Sequence, residues 1–288
     1  MSASITPGQK KQYLRFVEDA AEKALASVDI DKDGLQKLFG RGDEFQSDII
    51  DSLRKHAVSN QFADEEVASS YGYLSGYTPK SVAEQVKRLR ELFPKLGTAN
   101  EQLAEQPLPP HAEGYFAIPR WEKIASTYNA AVEKILAVLS ETRNGKFHNY
   151  RKGQLGPDRL RQHVRTVTML QTLGDQQQGH DILVVPSQFG LRHRGRSVRR
   201  AREVLTANEF GLGAFAIGSM LLTHPERLQN VNDLWVDCPG DEYHDPVGDR
   251  PFSRAPCFGF SDGRLAFVVF WFYKSRGRYG SVSGFLPQ

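Results

Sequence analysis

A chain of 288 residues with 40% hydrophobic, 10% aromatic and 25% charged side chains holds enough apolar material for one large core or two ordinary ones, which excludes a disordered chain as the default. Two cysteines exclude a disulfide framework and a cysteine-rich zinc module. The formal net charge of +3 hides an uneven spread: residues 143–202 hold 13 Lys and Arg against 3 acids (13 − 3 = +10), which leaves 24 − 31 = −7 for the rest.

The first residues, M-S-A-S-I-T-P-G-Q-K-K, contain no apolar leader-like run, and the longest nearly apolar stretch, 210–222, is short for a bilayer and interrupted by glycines. A cytoplasmic protein without a membrane partner is expected. Leu14, Val17, Ala21, Leu25 and Val28 recur at helical spacing over 8–28, and Phe45, Ile49, Ile50 and Leu53 do so from Asp43 to about Ala57. Between them D-I-D-K-D-G opens like a calcium loop, but its twelfth position is Gly40 where a bidentate Glu belongs, so a helix-capping turn is the better reading. Residues 61–77 lose periodicity and read Y-G-Y-L-S-G-Y at their end. Tyr71, Tyr73 and Tyr77 are candidates for base stacking or for packing across helices. Thr78 and Pro79 start a third helix (Val82, Val86, Leu89, Phe93) that Pro94 ends.

The polar, proline-ending stretch 97–113 reads as a linker. Beyond it come a short strand over 114–118, an amphipathic helix over 119–142 carried by Trp121, Ile124, Tyr128, Ile135 and Leu139, and a helix opened by Pro157 that should bury Leu160, Val164, Val167 and Leu170. A strand at 181–185 leads into an arginine-dense loop, Ser197 is placed to cap a short helix, and Asn208 to cap a long apolar one. Strands follow at 234–238, in a hairpin around S-D-G-R, and at 281–286. The fold class is therefore α+β: a helical unit (1–96), a linker (97–113) and a larger mixed domain (114–288) ending in antiparallel strands.

The strongest signal for function is the basic segment. Arg192, Arg194, Arg196, Arg199, Arg200 and Arg202 fall within eleven residues, and guanidinium groups fork onto phosphate oxygens. Arg151 and Lys152, with Lys146, precede them, and Arg161 and Arg165 at helical spacing complete the candidate surface. The expected partner is DNA, RNA or polyphosphate, bound with a steep salt dependence. The alternatives are an enzyme acting on a phosphorylated substrate, with acid–base or metal chemistry from Asp237, Asp241, Glu242, His244, Asp245 and Asp249, and a scaffold whose arginines dock an acidic partner or an acidic surface of the same chain.

Weaker patterns carry a bland reading beside the functional one. Gly211, Gly213 and Ala216 spell G-x-G-x-x-A, yet a helix and not a strand is expected before them, so a close-packed core helix is the better reading than a dinucleotide site. Cys238 or Cys257 with His180 or His224 has no local mark of a nucleophile and base. No cofactor or metal is called for by any motif.

The run from Gly190 through Glu203, with L-L-T-H-P-E-R-L and the terminal S-G-F-L-P-Q, resembles segments of a conserved protein family of candidate-phylum bacteria. The resemblance covers most of the chain and implies a genuine folded family. No activity, ligand or site comes with it.

Overall fold

In a computed structural model of the chain, residues 6–56, 61–247 and 250–287 are described. Residues 1–5, Ala57 and Asp249, on which parts of the leader, second-helix and acidic-loop readings fall, lie outside them. The chain divides into two units, residues 1–57 and 58–288.

The smaller unit is helical, and its first two helices carry their own start signals. In α1 (Pro7–Ser27) the Thr6 hydroxyl accepts from the Gln9 N–H at 3.2 Å while the Gln9 side chain accepts from the Thr6 N–H at 2.8 Å, a reciprocal cap that uses two donors left over at the helix start. In α2 (Lys32–Gly40) the Asp31 carboxylate accepts from the Gly34 N–H at 2.7 Å, so D-I-D-K-D-G is a capping turn. The third helix is α3 (Gly42–His56).

The larger unit contains α4 (Val82–Leu92), α5 (Tyr128–Thr142), α6 (Val164–Gln176), α7 (Val198–Glu203) and α8 (Ala214–Thr223). Its strands are β1 (Gly114–Pro119), β2 (Phe147–Asn149), β3 (Leu160–Gln162), β4 (Ile182–Gln188), β5 (Glu209–Gly211), β6 (Trp235–Asp237), β7 (Asp241–Tyr243), β8 (Arg254–Ser261), β9 (Arg264–Trp271), β10 (Tyr279–Ser281) and β11 (Ser283–Phe285). One sheet is antiparallel in the order β1-β4-β11-β5. The other runs β10-β6-β8-β7-β3 with β9 on β8 and β2 on β9. Helices come first and mostly antiparallel strands follow, which is the α+β class.

Composition explains the centre. All ten residues of α8 are buried, as an element apolar on every side must be, and it lies among α5, β1 and α4. Gly218 lets α8 come against Ile135 of α5, where a methyl group would collide. Buried Gln85 ties α4 to β1, donating to Tyr115 O and accepting from the Ala117 N–H at 2.8 and 2.9 Å. Residues 97–113 likewise join this unit: Ala99 bridges to Ile182, and Leu103 and Ala104 pack on the core. The division at 57/58 therefore replaces the expected helical unit to 96 and linker at 97–113.

Three expected elements differ. No helix starts at Pro157, because residues 160–162 pair with Asp241–Tyr243 of β7 as a strand; Leu160 is buried there, whereas Val164 and Val167 on α6 stand 73% and 46% exposed. The helix expected from Pro119 opens instead as a short 3-10 turn (Trp121–Lys123), and α5 begins after Thr127, whose hydroxyl accepts from the Ala130 N–H. What precedes the apolar helix is strand β5, and the N-cap is Gly213, not Asn208. The S-D-G-R hairpin forms as expected, with Asp262 and Gly263 both at positive φ (52° and 72°), the backbone that a two-residue hairpin needs.

Candidate functional site

The basic segment folds onto carboxylates of its own unit. The Ser197 hydroxyl caps α7 by accepting from the Arg200 N–H at 3.1 Å and donates to Glu65 at 2.6 Å. Arg199 forks onto Glu65, with its Cζ 4.2 Å from the Phe62 ring centre. Arg196 and Arg200 meet on Glu66 at 3.2 and 2.5 Å, and Arg200 also reaches Glu203 at 2.8 Å. Arg192 and His193 share the buried Glu209 at 3.1 and 2.8 Å. Burial raises the Glu209 carboxyl, but His193, Arg192 and Ser283 outweigh it and hold the group down at about 2. Arg202 donates to the carbonyls of Pro239 and Asp241, both at 2.8 Å, and lies 3.6 Å from Glu242; burial lowers it to about 10. Glu65, Glu66, Glu203, Glu209 and Glu242 thus face five of the six arginines, and Arg194, exposed and donating to Tyr71 O at 3.1 Å, is the one without a carboxylate among the described residues.

The other cations of the segment are scattered. Arg161, on β3, pairs with Glu242 at 2.8 Å and stacks 3.7 Å over Phe252. Arg165, on α6, donates to the carbonyls of Thr206 and Ala207, so the two arginines do not share a helix face. Arg151 approaches Asp245 at 3.8 Å, and Lys146 and Lys152 stand exposed. Asp245 is also bonded to Arg254 at 2.9 Å. The acidic loop and the basic segment therefore meet as ion pairs, and among the described residues no group of three or more His, Cys, Asp or Glu is placed to hold a metal ion.

Tyr73 and Tyr77 are turned inward. Their rings lie 5.3 Å apart edge to face, and Tyr77 packs on Phe189 and His224. Both cysteines are buried and free. His180 is bonded to the Thr98 hydroxyl, and His224 Nε2 accepts from the Lys80 N–H at 3.0 Å, with burial lowering the imidazole to about 4.

A more enclosed concave site lies over the start of α8. It is a cleft of about 260 Å³ lined by Trp121, Tyr128 and Phe215, by Ile118 and Leu183, and by Val167 and Leu170 of α6. Gln162, Gln171 and Arg120 add polar groups to its lining. Arg120 fixes the α6 wall: its Nε donates to His180 O and its Nη2 to Gly174 O and Gln177 O at 2.7–2.8 Å, satisfying carbonyls at the helix C-terminus. Gln171 donates from Nε2 to Asp175 at 2.9 Å, which leaves its carbonyl oxygen as an acceptor.

Glycines shape the base of this cleft. A Cβ on Gly211 would meet the backbone of Pro239 and Gly240, and one on Gly213 would meet the Asp241 carboxylate and the Tyr128 hydroxyl. The turn at 211–213 and the turn at 239–241 are thus laid backbone to backbone, joined by the Gly240 N–H donating to Leu212 O at 3.0 Å. The G-x-G-x-x-A spelling does sit between a strand and a helix. The strand, however, is a three-residue antiparallel edge, and the place at the helix start where a phosphate would dock belongs to Asp241, which accepts from the Ala214 N–H at 2.7 Å.

Asp241 also accepts from the Tyr128 hydroxyl at 2.7 and 2.9 Å. Burial pushes its carboxyl up to about 7, against the pull of the Ala214 N–H, Tyr128 and Arg202. Burial likewise raises the Tyr128 phenol, whose oxygen accepts from the Phe215 N–H.

No family model, curated protein or solved structure matches this chain. The chemistry is therefore read from the geometry alone. The arrangement offers a planar ring three aromatic walls, hydrogen-bonding partners in Gln162 and Gln171, and a phenol backed by a carboxyl group that exchanges its proton near neutrality. The sequence marks little of this: Thr127 signals the start of α5, and G-L-G ahead of an apolar helix signals a tight turn, but the cleft's lining comes from six separate stretches between residues 118 and 216.

Proposed function

We propose that the larger unit binds a small planar heteroaromatic molecule in the α5–α6–α8 cleft, with Tyr128 as the hydroxyl that meets the ligand's polar edge. The observation that carries the reading is an apolar, aromatic-walled concavity with a few convergent polar groups and a titratable pair at its base, the usual make-up of a small-ligand site. A free volume of about 260 Å³ suits one or two rings. Titrating the protein with adenine, cytosine and uracil while following the fluorescence of Trp121 tests this in a W235F/W271F background. Saturable binding by at least one base, lost in Gln171→Ala or Trp121→Ala by thermal shift, supports the reading. No shift with any base at millimolar concentration overturns it.

A second reading, nucleic-acid binding through residues 143–202, is supported by the cations outside the glutamate pairs: exposed Lys146, Lys152 and Arg194, with Tyr150 exposed between the first two. So few free charges call for a shallow salt dependence, about one unit of log–log slope per phosphate contacted. Fluorescence anisotropy of labelled single- and double-stranded DNA and RNA over a salt series measures it, and absence of binding at low salt removes it.

A further inference from the structure

The face of the second sheet turned away from the main core carries a separate aromatic group, independent of the cleft at α8. Asp237 of β6 stands opposite Cys257 of β8 and Ser281 of β10, so these side chains share one face. Two residues back along the strands, the Trp235 and Tyr279 rings lie 5.2 Å apart, and Phe270 meets Tyr279 edge to face at 5.8 Å. Phe270, Trp271 and Tyr279 line a narrow cleft together with Val198, Ala255 and Lys274, and Asp237, only 7% exposed, is part of the same lining.

Arg276 fills that cleft from the loop after β9. Its Cζ lies 4.4 Å from the Phe270 ring centre and 5.1 Å from that of Tyr279, and its Nη1 donates to the Tyr279 hydroxyl at 3.0 Å. The space that remains is about 10 Å³, enough for one water. Ring faces attract a cation through their quadrupole, and the Asp237 carboxyl, which burial raises to about 7, adds an opposing charge where it is ionised. Neutral groups of the same shape gain neither.

We propose that this cleft is a site for an alkylguanidinium cation, with Arg276 as its resident intrachain ligand. The walls stand on β6, β8, β9 and β10, so cutting back Arg276 empties the site without removing its frame. The test is R276A titrated with ethylguanidinium at up to about 20 mM, with ethylurea as the neutral isostere, read by melting temperature and tryptophan fluorescence. Expected is saturable binding to R276A, at least tenfold weaker to the wild-type protein, tenfold weaker for ethylurea, and tenfold weaker after D237N is added to R276A. An equal response to the two probes, an equal response of R276A and wild type, or indifference to D237N overturns the proposal. Should R276A fail to fold, the comparison is made on refolding: recovery with ethylguanidinium and not ethylurea supports the site, and failure with both overturns it.

Discussion

Two regions of the larger unit begin alike, each as a loop with glycine leading into a helix, and end as opposites. Around α7 five of six arginines face five glutamates, and the charge that dominates the sequence is largely cancelled in space. Around the start of α8 there is little formal charge, and what the fold builds is a concave surface with one titratable pair. Dense charge in a sequence thus marks a place where acids must be found nearby, since buried charges persist only when paired. The less charged cleft lined by Trp121, Tyr128, Gln162, Gln171 and Gly213 is the one to which we assign a ligand.

The sharpest way to break the comparison is at Glu209. Glu209→Ala strands Arg192 and His193 without their shared carboxylate and should cost about 3–5 kcal/mol by urea denaturation at neutral pH. A loss under 1 kcal/mol would mean that the pairing is incidental.

The two regions should also answer pH with opposite signs. Glu209 is held at about 2, below its usual 4.5, so its stabilisation is complete above about 4.5 and is lost as pH falls toward 2, by roughly 3 kcal/mol. Asp241 is raised from 3.8 to about 7, so the folded state holds a proton that the unfolded chain releases. Stability from that group is greatest below about 4 and falls as pH rises to about 7, by as much as roughly 4 kcal/mol. Urea midpoints across pH 2–8 for Glu209→Gln and Asp241→Asn should flatten the acid limb in the first and the limb between 4 and 7 in the second. Identical profiles would remove the contrast.

Smaller effects follow. Gly213→Ala pushes a methyl into Asp241 and Tyr128 and should cost about 1–3 kcal/mol while abolishing ligand binding at the cleft. Arg161→Ala removes an ion pair whose arginine side chain is 55% exposed and should shift stability by less than about 1 kcal/mol, within what thermal melts resolve. A large loss there would extend the ion-pair region to β3.

Local chemistry was legible wherever it sufficed. Ser197 caps α7, Asp31 caps α2, and Asp262-Gly263 turns the hairpin, each through contacts within three residues, whereas α4 starts at a Ser81 cap and not at Thr78 and Pro79 as expected. What stayed hidden is decided at long range. Glu65 and Arg199 are 134 residues apart, so nothing local says that they pair. The strand β5 is three residues long, and β11 defines it by register, which is why helix was expected there. Leu160 is apolar at a spacing that suits a helix, and only its partner Tyr243 makes it a strand. The cleft was the least legible part, because a concavity has no periodicity.

One feature of the first sheet bears on how the protein comes to be. Strand β11 pairs with both β4 and β5 and lies inside the sheet, although it is the last strand in the chain. During synthesis β4 stands ready long before residues 283–285 exist, with the edge they will cover still open. An uncovered edge of apolar strand is a template for wrong partners. The nascent chain therefore leaves that edge of its first sheet uncovered until residues 283–285 emerge, and a ribosome that stalls before them leaves behind a product with the edge exposed to its neighbours.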